Sequence, residues 1–216
     1  MLKVLDISHF QNVQDFKKVL DAGVSAVICK ATDGLTQDPT FQWKAQHAKD
    51  AGLVVGAYHF FRPLLDPELQ AMNFCNTVKS LNMPIILAVD LEYVTGADGQ
   101  EDWVKLSLND RQRNVLLFLS AIAKAFPDGL PLIYCGKAFM DEILPGLDLS
   151  LWPLWVCDYN TNHALPTLPA FWKRWDLWQQ NDHDQEPGII GPDDLDAFNG
   201  NLDDLKGLLC TVTSNS

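Results

Sequence analysis

The sequence predicts an α/β fold, a modified TIM-like (β/α)5(β)3 barrel with eight strands and about five helices. Short apolar segments typical of buried strands alternate with segments of helical period through the first two thirds of the chain. After Pro145 the strand-like segments are joined by loops too short or too rich in proline for helices. With 216 residues, 47% of them hydrophobic, the chain is long enough for one barrel. We expect residues 1–210 to form this single domain and residues 211–216 to form a polar tail.

The first five strands are predicted from apolar segments: Lys3–Ile7, Ser25–Ala31, Leu53–Phe60, Ile85–Val89 and Pro131–Cys135. A helical period of apolar residues predicts a helix after each strand: Val13–Ala22, Thr40–Ala51, Pro67–Leu81, Leu108–Phe126 and Lys137–Leu144. Gly23 and Gly52 follow the first two helices as C-caps, and Pro67 begins the third, where a missing N–H costs little. This alternation predicts right-handed βαβ units and a parallel sheet.

The last three strands are predicted without helices between them: Trp152–Tyr159, Ala170–Gln179 and Ile189–Phe198. A helical segment returns only near Leu202–Leu209, before the polar tail. Eight strands in this order favour closure into a barrel rather than an open sheet.

The composition excludes several classes of function. The formal net charge of −12 argues against nucleic acid or an anionic membrane as the main partner, because both attract basic surfaces. No apolar segment is long enough for membrane insertion, and no signal peptide is visible at the N-terminus. We therefore expect synthesis in the cytoplasm.

The spacing of cysteine and histidine predicts neither a disulfide framework nor a metal site. The five cysteines are spread along the chain, mostly in apolar segments, and form no CxxC motif, which is typical of reduced, buried thiols. Among the histidines only His59 follows a buried strand near the predicted site, and there a core histidine is favoured over a metal ligand. We expect no metal and no cofactor.

The segment PIILAVDLEY, residues 84–93, contains the first candidate for chemistry. Its apolar part is typical of a strand buried on both faces, and Asp90 and Glu92 follow on one side of that strand. Burial and mutual repulsion should raise the pKa of at least one of these carboxyl groups, as a general acid requires. The alternative is that the two acids only mark the point where the strand leaves the core.

In barrels of this kind the functional residues lie at the carboxyl ends of the strands. Polar or aromatic residues occur at nearly every predicted end: Asp6, Lys30, Tyr58, Arg62, Asp90, Glu92, Tyr134, Tyr159, Gln179 and Asp194. We expect the rings of five residues to line the same opening: Tyr58, Phe60, Tyr134, Trp155 and Tyr159. Carboxylates flanked by aromatic faces are what glycoside hydrolysis requires.

Eight segments, in order along the chain, resemble the glycoside hydrolase family 25 lysozymes, the Chalaropsis type. They are DISHFQ from Asp6, ICKATDG from Ile28, GAYHF from Gly56 with Arg62, AVDLE from Ala88, Ile133-Tyr134, WVCDY from Trp155, Trp178-Gln179, and GIIGPDDLDAFNG from Gly188. The resemblance covers nearly the whole chain and implies a barrel of eight strands and five helices.

The resemblance implies a muramidase that cuts the β-1,4 bond between N-acetylmuramic acid and N-acetylglucosamine in peptidoglycan. It implies that Glu92 is the general acid and that Asp6, Asp90 and Asp194 complete an acidic ring. The chain departs from the family pattern at three positions, because the family usually has Glu at Asp33, Tyr at Gln180 and Asn at Asp196. The last departure adds a carboxyl group near Asp194.

The mechanism and two other functions stay open at this point. In one scheme Asp90 orients the substrate's acetamido group, which attacks the anomeric carbon with retention. In the other, Asp6 or Asp194 acts as nucleophile or as base for a water. A catalytically silent glycan-binding barrel would lack the acid at Glu92, and a metal-dependent polysaccharide deacetylase would need paired histidines that His9 and His59 do not provide.

Peptidoglycan glycan strands are the expected partner, bound by Lys30, Arg62, Gln179 and the five rings named above. We expect a monomer that acts on the cell wall or in the periplasm after release without a signal peptide. A holin or a secretion apparatus would then deliver it, and an immunity protein is a further candidate partner.

Overall fold

A computed structural model describes residues 1–160 and 163–212 and contains a closed barrel of eight strands. The barrel strands are β1 Leu2–Ile7, β2 Val24–Asp33, β3 Val54–Phe60, β4 Ile85–Asp90, β5 Leu132–Gly136, β6 Leu154–Cys157, β7 Leu177–Asp184 and β8 Asp193–Phe198. The helices are α1 Phe16–Asp21, α2 Phe41–Ala51, α3 Pro67–Lys79, α4 Leu108–Ala125, α5 Lys137–Ile143 and α6 Leu202–Lys206, with a 3-10 turn at Trp103–Lys105. Four short strands lie outside the barrel wall: Asn12–Val13, Thr36–Gln37, Ile189–Ile190 and Leu209–Cys210. The predicted α/β barrel is therefore confirmed.

Seven barrel strands run parallel, but β8 is antiparallel to both of its neighbours, β7 and β1. The barrel closes because β1 also pairs with β2 in parallel. The expectation of an all-parallel sheet was wrong at β8. The connection from Asp184 to Asp193 is too short for a parallel crossover, which needs about a dozen residues or more, so the chain turns back as a hairpin.

Several predicted boundaries were also wrong. The strand predicted at Ala170–Gln179 begins only at Leu177, and the segment before it is irregular. Helix α1 begins later than predicted because the Asp15 side chain caps it by accepting hydrogen bonds from two backbone N–H groups. Leu209 lies in a short strand paired with β4 instead of a helix. Residues 213–216 of the predicted tail lie outside the described residues.

Apolar side chains pack in two layers, one inside the barrel and one between the barrel and the helices. The inner layer contains small and branched residues with a few rings, among them Val4, Ile28, Ala88, Trp155 and Phe198. The outer layer is larger and joins the strands to α1–α5. All five cysteines are free thiols, and four of them are buried, as expected.

The barrel topology determines which residues meet. The carboxyl ends of β1–β7 and the amino end of β8 lie at the same end of the barrel, since β8 runs in the opposite direction. Side chains from distant parts of the chain therefore share one opening.

No helix in the described ranges is long and apolar enough to cross a membrane.

Candidate active site

A cleft of about 260 Å³ opens at the carboxyl ends of the parallel strands. It is lined by every predicted site residue except Arg62, together with Ser8, Phe10 and Gln11 from the loop after β1. In the structure, the predicted acids and rings therefore lie around one opening. A larger cavity of about 570 Å³ lies near the opposite ends of β5–β7, but Asp176 is the only carboxylate among the described residues that line it.

Asp90 and Glu92 lie at the end of β4 and just beyond it, and both side chains line the cleft. Burial raises the pKa of Asp90 well above its usual range, and the charge of Glu92 raises it further. Burial also raises the pKa of Glu92, although the positive charges of Lys30 and Arg62 oppose this shift. The pair therefore favours retention of a proton, as predicted from the strand pattern.

Asp6 and Asp194 face each other across the antiparallel pair of β1 and β8. Asp194 is the second residue of β8, so it reaches the opening from the start of a strand and not, as predicted, from a carboxyl end. Burial raises the pKa of Asp6 well above its usual range, and the charges of Asp196 and Asp194 raise it further. Burial likewise raises the pKa of Asp194.

Gln179 connects Asp6 to two tyrosines. Its amide Nε2 donates to Asp6 Oδ2 at 2.6 Å, and its Oε1 accepts from the hydroxyl groups of Tyr134 and Tyr159, each at 2.7 Å. The sequence predicted Gln179 as a substrate-binding residue, whereas these contacts direct both ends of its amide to the protein.

Lys30, Asp33 and Arg62 form a charged group beside the cleft. Arg62 donates from Nε to Asp33 Oδ1 at 2.5 Å and from Nη2 to Asp33 Oδ2 at 2.9 Å, and Lys30 Nζ lies 3.1 Å from Asp33 Oδ2. Both cations also lie 4.5 Å from the centre of the Phe60 ring. Burial raises the pKa of Asp33, but the hydrogen bonds from Arg62 and the charge of Lys30 outweigh burial and hold that pKa below its usual value. Arg62 lines a neighbouring cavity that also includes His9 and Asp38.

Trp155 forms the floor of the cleft and is almost fully buried. Its ring packs edge-on against Tyr58 and Tyr134, with centroid distances of 6.3 and 4.9 Å. Its Nε1 donates to Asp196 Oδ1 at 2.7 Å. Asp196 is thereby held under the floor and inside the barrel.

The loop after β1 contributes to the cleft, which was not predicted from the sequence. Ser8, Phe10 and Gln11 line the cleft, and Phe10 is 77% exposed. The available signal for this part of the cleft was Phe10, an aromatic residue shortly after a predicted strand end.

His59 is a core residue, as expected. Its Nδ1 lies 2.7 Å from Thr32 Oγ1, its Nε2 lies 3.2 Å from Gln70 Oε1, and its ring stacks on Phe118 at 4.7 Å. Burial lowers the pKa of His59 to about 3, so the ring is neutral. Among residues 1–160 and 163–212, no three His, Cys, Asp or Glu side chains are arranged to hold a metal ion.

The site combines carboxyl groups of raised pKa with cations at one side and rings along the walls. Such an arrangement can donate a proton to a leaving oxygen and stabilise a positive centre with a nearby carboxylate. These are the two requirements for cleavage of a glycosidic bond.

Comparison with known proteins agrees with this chemistry. A family model described as glycosyl hydrolases family 25 matches residues 5–189. The autolytic lysozyme of Clostridium acetobutylicum is 32% identical over 198 residues, which are 91% of this chain and 56% of that protein. The uncharacterized protein YegX of Escherichia coli K12 is 30% identical over 213 residues, 95% of this chain and 72% of that protein. The structure of a muramidase from Trichobolus zukalii superposes with a TM-score of 0.81 at 29% identity, covering 96% of this chain and 98% of that one.

Proposed function

This chain belongs to glycosyl hydrolase family 25 and is a glycoside hydrolase of the lysozyme type, and we propose that it cuts peptidoglycan between N-acetylmuramic acid and N-acetylglucosamine. The observation that carries this proposal is the meeting of four carboxyl groups, from β1, the end of β4 and β8, in one cleft with aromatic walls. Peptidoglycan glycan strands are the substrate.

Glu92 is the general acid in this proposal. It is only half-buried, so it can reach a bound glycan, and burial raises its pKa. Its carboxyl group has no hydrogen-bond partner within the described residues that would fix it elsewhere. A protonated Glu92 would donate its proton to the leaving oxygen of the glycosidic bond.

Asp90 orients the acetamido group of the substrate. Its side chain lines the cleft, and no hydrogen bond from the described part of the chain occupies its carboxyl group, so an amide N–H of the substrate can donate to it. The acetamido oxygen then attacks the anomeric carbon, and water opens the intermediate with retention of configuration. Asp6 and Asp194 contribute negative charge facing the positive centre.

The clearing of purified cell walls, measured as a fall in turbidity, tests the activity and the role of Glu92 together. We expect Glu92→Gln to slow clearing by about 10²- to 10⁴-fold, the usual contribution of a general acid. Glu68→Gln is the matched control, because Glu68 is exposed on α3 and lies outside the cleft. Clearing at the wild-type rate by Glu92→Gln would refute the assignment.

The anomer of the first product separates acetamido participation from direct attack by an activated water. Retention, detected by NMR on a muramic-acid glycan, is expected for acetamido participation. An inverted product would instead assign Asp6 or Asp194 as the base for an attacking water.

A further inference from the structure

The backbone around Glu92 is held by hydrogen bonds from other parts of the chain. Just before it, the Leu91 N–H donates to the backbone oxygen of Tyr134 on β5 at 2.9 Å. The backbone oxygen of Glu92 itself accepts from Nε1 of Trp103 at 2.8 Å. The Glu92 carboxyl group has no hydrogen-bond partner in the described part of the chain. Its position in the cleft therefore depends on how its own backbone is held.

The indole of Trp103 is restricted by the rings around it. Trp103 begins the 3-10 turn that follows the loop of residues 95–102, and it is 0% exposed. Its ring stacks on Phe61, the residue after β3, at a centroid distance of 5.6 Å, and it packs edge-on against Phe139 of α5 at 5.4 Å. An indole has a single N–H donor, so packing on two sides gives that donor one direction.

Glu101 connects the same turn to the backbone that follows Glu92. Its Oε1 accepts from the N–H groups of Val94 at 3.0 Å and Trp103 at 3.1 Å, and its Oε2 lies 2.9 Å from the Val94 nitrogen. The N–H of Asp102 donates to the Val94 oxygen at 2.7 Å. We call Glu101, Asp102 and Trp103 the clasp, because together they bind the backbone at Glu92 and at Val94.

The clasp lies outside the cleft. None of its three residues lines the cleft, whereas Glu92 does. The clasp can therefore affect a bound glycan only through the residues that it holds. A fixed backbone gives the Glu92 side chain a defined starting point, as a preorganised catalytic group requires.

We propose that Trp103 and Glu101 are positioning residues that hold Glu92 where its carboxyl proton reaches the leaving oxygen of the glycosidic bond. This inference rests on the proposed function, because it concerns the acid step of the same reaction. In that step the proton moves from Glu92 to the glycosidic oxygen while the bond from that oxygen to the anomeric carbon breaks. A displacement of about 1 Å in such a group can cost about 100-fold in rate.

Substitution of Trp103 by phenylalanine removes the indole N–H and keeps an aromatic ring in the same place. We expect kcat on a muramic-acid glycan to fall about 10- to 100-fold with little change in KM, because the acid is displaced while the cleft is intact. Trp172→Phe is the matched control. Trp172 is also a buried indole that donates to a backbone oxygen, that of Trp152 at 3.0 Å, but it lines the cavity near the opposite ends of β5–β7. This control should leave both constants unchanged.

The leaving group separates a displaced acid from a general loss of structure. A nitrophenyl glycoside of N-acetylmuramic acid needs little help from an acid, because nitrophenolate is a stable anion without a proton. Its kcat/KM reports the steps up to cleavage of the bond. We expect Trp103→Phe to retain this kcat/KM within about twofold of the wild type while it is slow on the glycan. A partly unfolded protein would instead lose both activities by the same factor.

Variants of Glu101 test the other half of the clasp. In Glu101→Gln the amide oxygen can still accept from both Val94 and Trp103, as Oε1 does in the wild type. We therefore expect Glu101→Gln to hydrolyse the glycan within about threefold of the wild type, and Glu101→Ala to be about 10- to 100-fold slower. Glu101→Ala should again retain its activity on the nitrophenyl glycoside.

Hydrogen exchange tests the clasp without any activity. The Val94 amide donates to Glu101, so we expect this amide to exchange about 10-fold faster or more in Glu101→Ala, and at the wild-type rate in Trp172→Phe. NMR of ¹⁵N-labelled protein measures both rates at the single residue.

The inference and the proposed function fail in different ways. Equal losses on the glycan and the nitrophenyl glycoside in Trp103→Phe, or an unchanged exchange rate of the Val94 amide in Glu101→Ala, overturn the inference. So does a Glu101→Gln variant as slow as Glu101→Ala. Absence of hydrolysis by the wild-type protein would refute the proposed function, while hydrogen exchange would still decide whether Glu101 holds this backbone.

Discussion

At the scale of single residues, the contacts of Gln179 show how the protein orients a residue that was predicted to bind substrate. The amide donates to Asp6 and accepts from Tyr134 and Tyr159, so its orientation is determined by three partners. Because an amide has one donor end and one acceptor end, only this orientation satisfies all of them. Gln179 thereby holds Asp6 at the cleft through one hydrogen bond.

Replacement of Gln179 by leucine should lower kcat by about 10- to 100-fold with little change in KM, because Asp6 loses a charge-assisted hydrogen bond. Steady-state kinetics on a soluble glycan would measure the two constants separately. Gln180→Leu is the matched control, since the adjacent residue on β7 lies outside the cleft. A rise in KM alone would support the original prediction of direct substrate binding.

At the scale of elements, helix α2 holds the rim of the cleft through Lys44. This lysine is 3% exposed, and its Nζ donates to the backbone oxygens of Ser8 at 2.5 Å and Gln11 at 2.7 Å. Both acceptors belong to the loop after β1, whose side chains line the cleft. Burial lowers the pKa of Lys44, and the neighbouring Cys29 and Asp38 oppose this shift.

The Lys44→Met variant should lose about 1–3 kcal/mol of unfolding free energy, because two buried carbonyl groups lose their donor. We also expect a higher KM, since the loop that includes Phe10 and Gln11 is no longer held. Denaturant unfolding and glycan kinetics measure these two effects. Lys49→Met, at an exposed position on the same helix, should change neither quantity, and equal losses in both variants would contradict the role of Lys44.

At the scale of the whole molecule, closure of the barrel places several carboxyl groups where folding disfavours their charge. Burial is the largest cause of the raised pKa of Asp6, Asp90 and Asp196. A carboxyl group whose pKa is raised by folding stabilises the protein most when it is protonated. Its contribution decreases as the pH rises from the ordinary carboxyl range towards the raised pKa.

An Asp90→Asn variant should therefore be more stable than the wild type at neutral pH, by on the order of 1 kcal/mol, while wall clearing falls. The amide has no charge to desolvate, so the gain should be small at acidic pH and grow as the pH rises. Thermal unfolding over a pH series measures this dependence. Asp50→Asn, at an exposed position, should show no such trend, and a gain that shrinks with rising pH would disprove the reasoning.

The sequence by itself determined the alternation of strands and helices, the α/β barrel and the identity of nearly all the residues that line the cleft. These features depend on local patterns: apolar period, caps, and polar residues directly after buried strands. Asp90 and Glu92 were predictable for this reason, since residues two apart where an extended strand ends point to the same side whatever the rest of the chain does.

Only the tertiary structure decided the direction of β8, the pairing of Arg62 with Asp33, the orientation of Gln179 and the hydrogen bond from Trp155 to Asp196. Each depends on the register between strands that are far apart in sequence, and β8 also shifts register against β7 on both sides of Leu195. A local pattern specifies which face a side chain occupies on its own strand. The partner it meets there is determined only when the barrel closes.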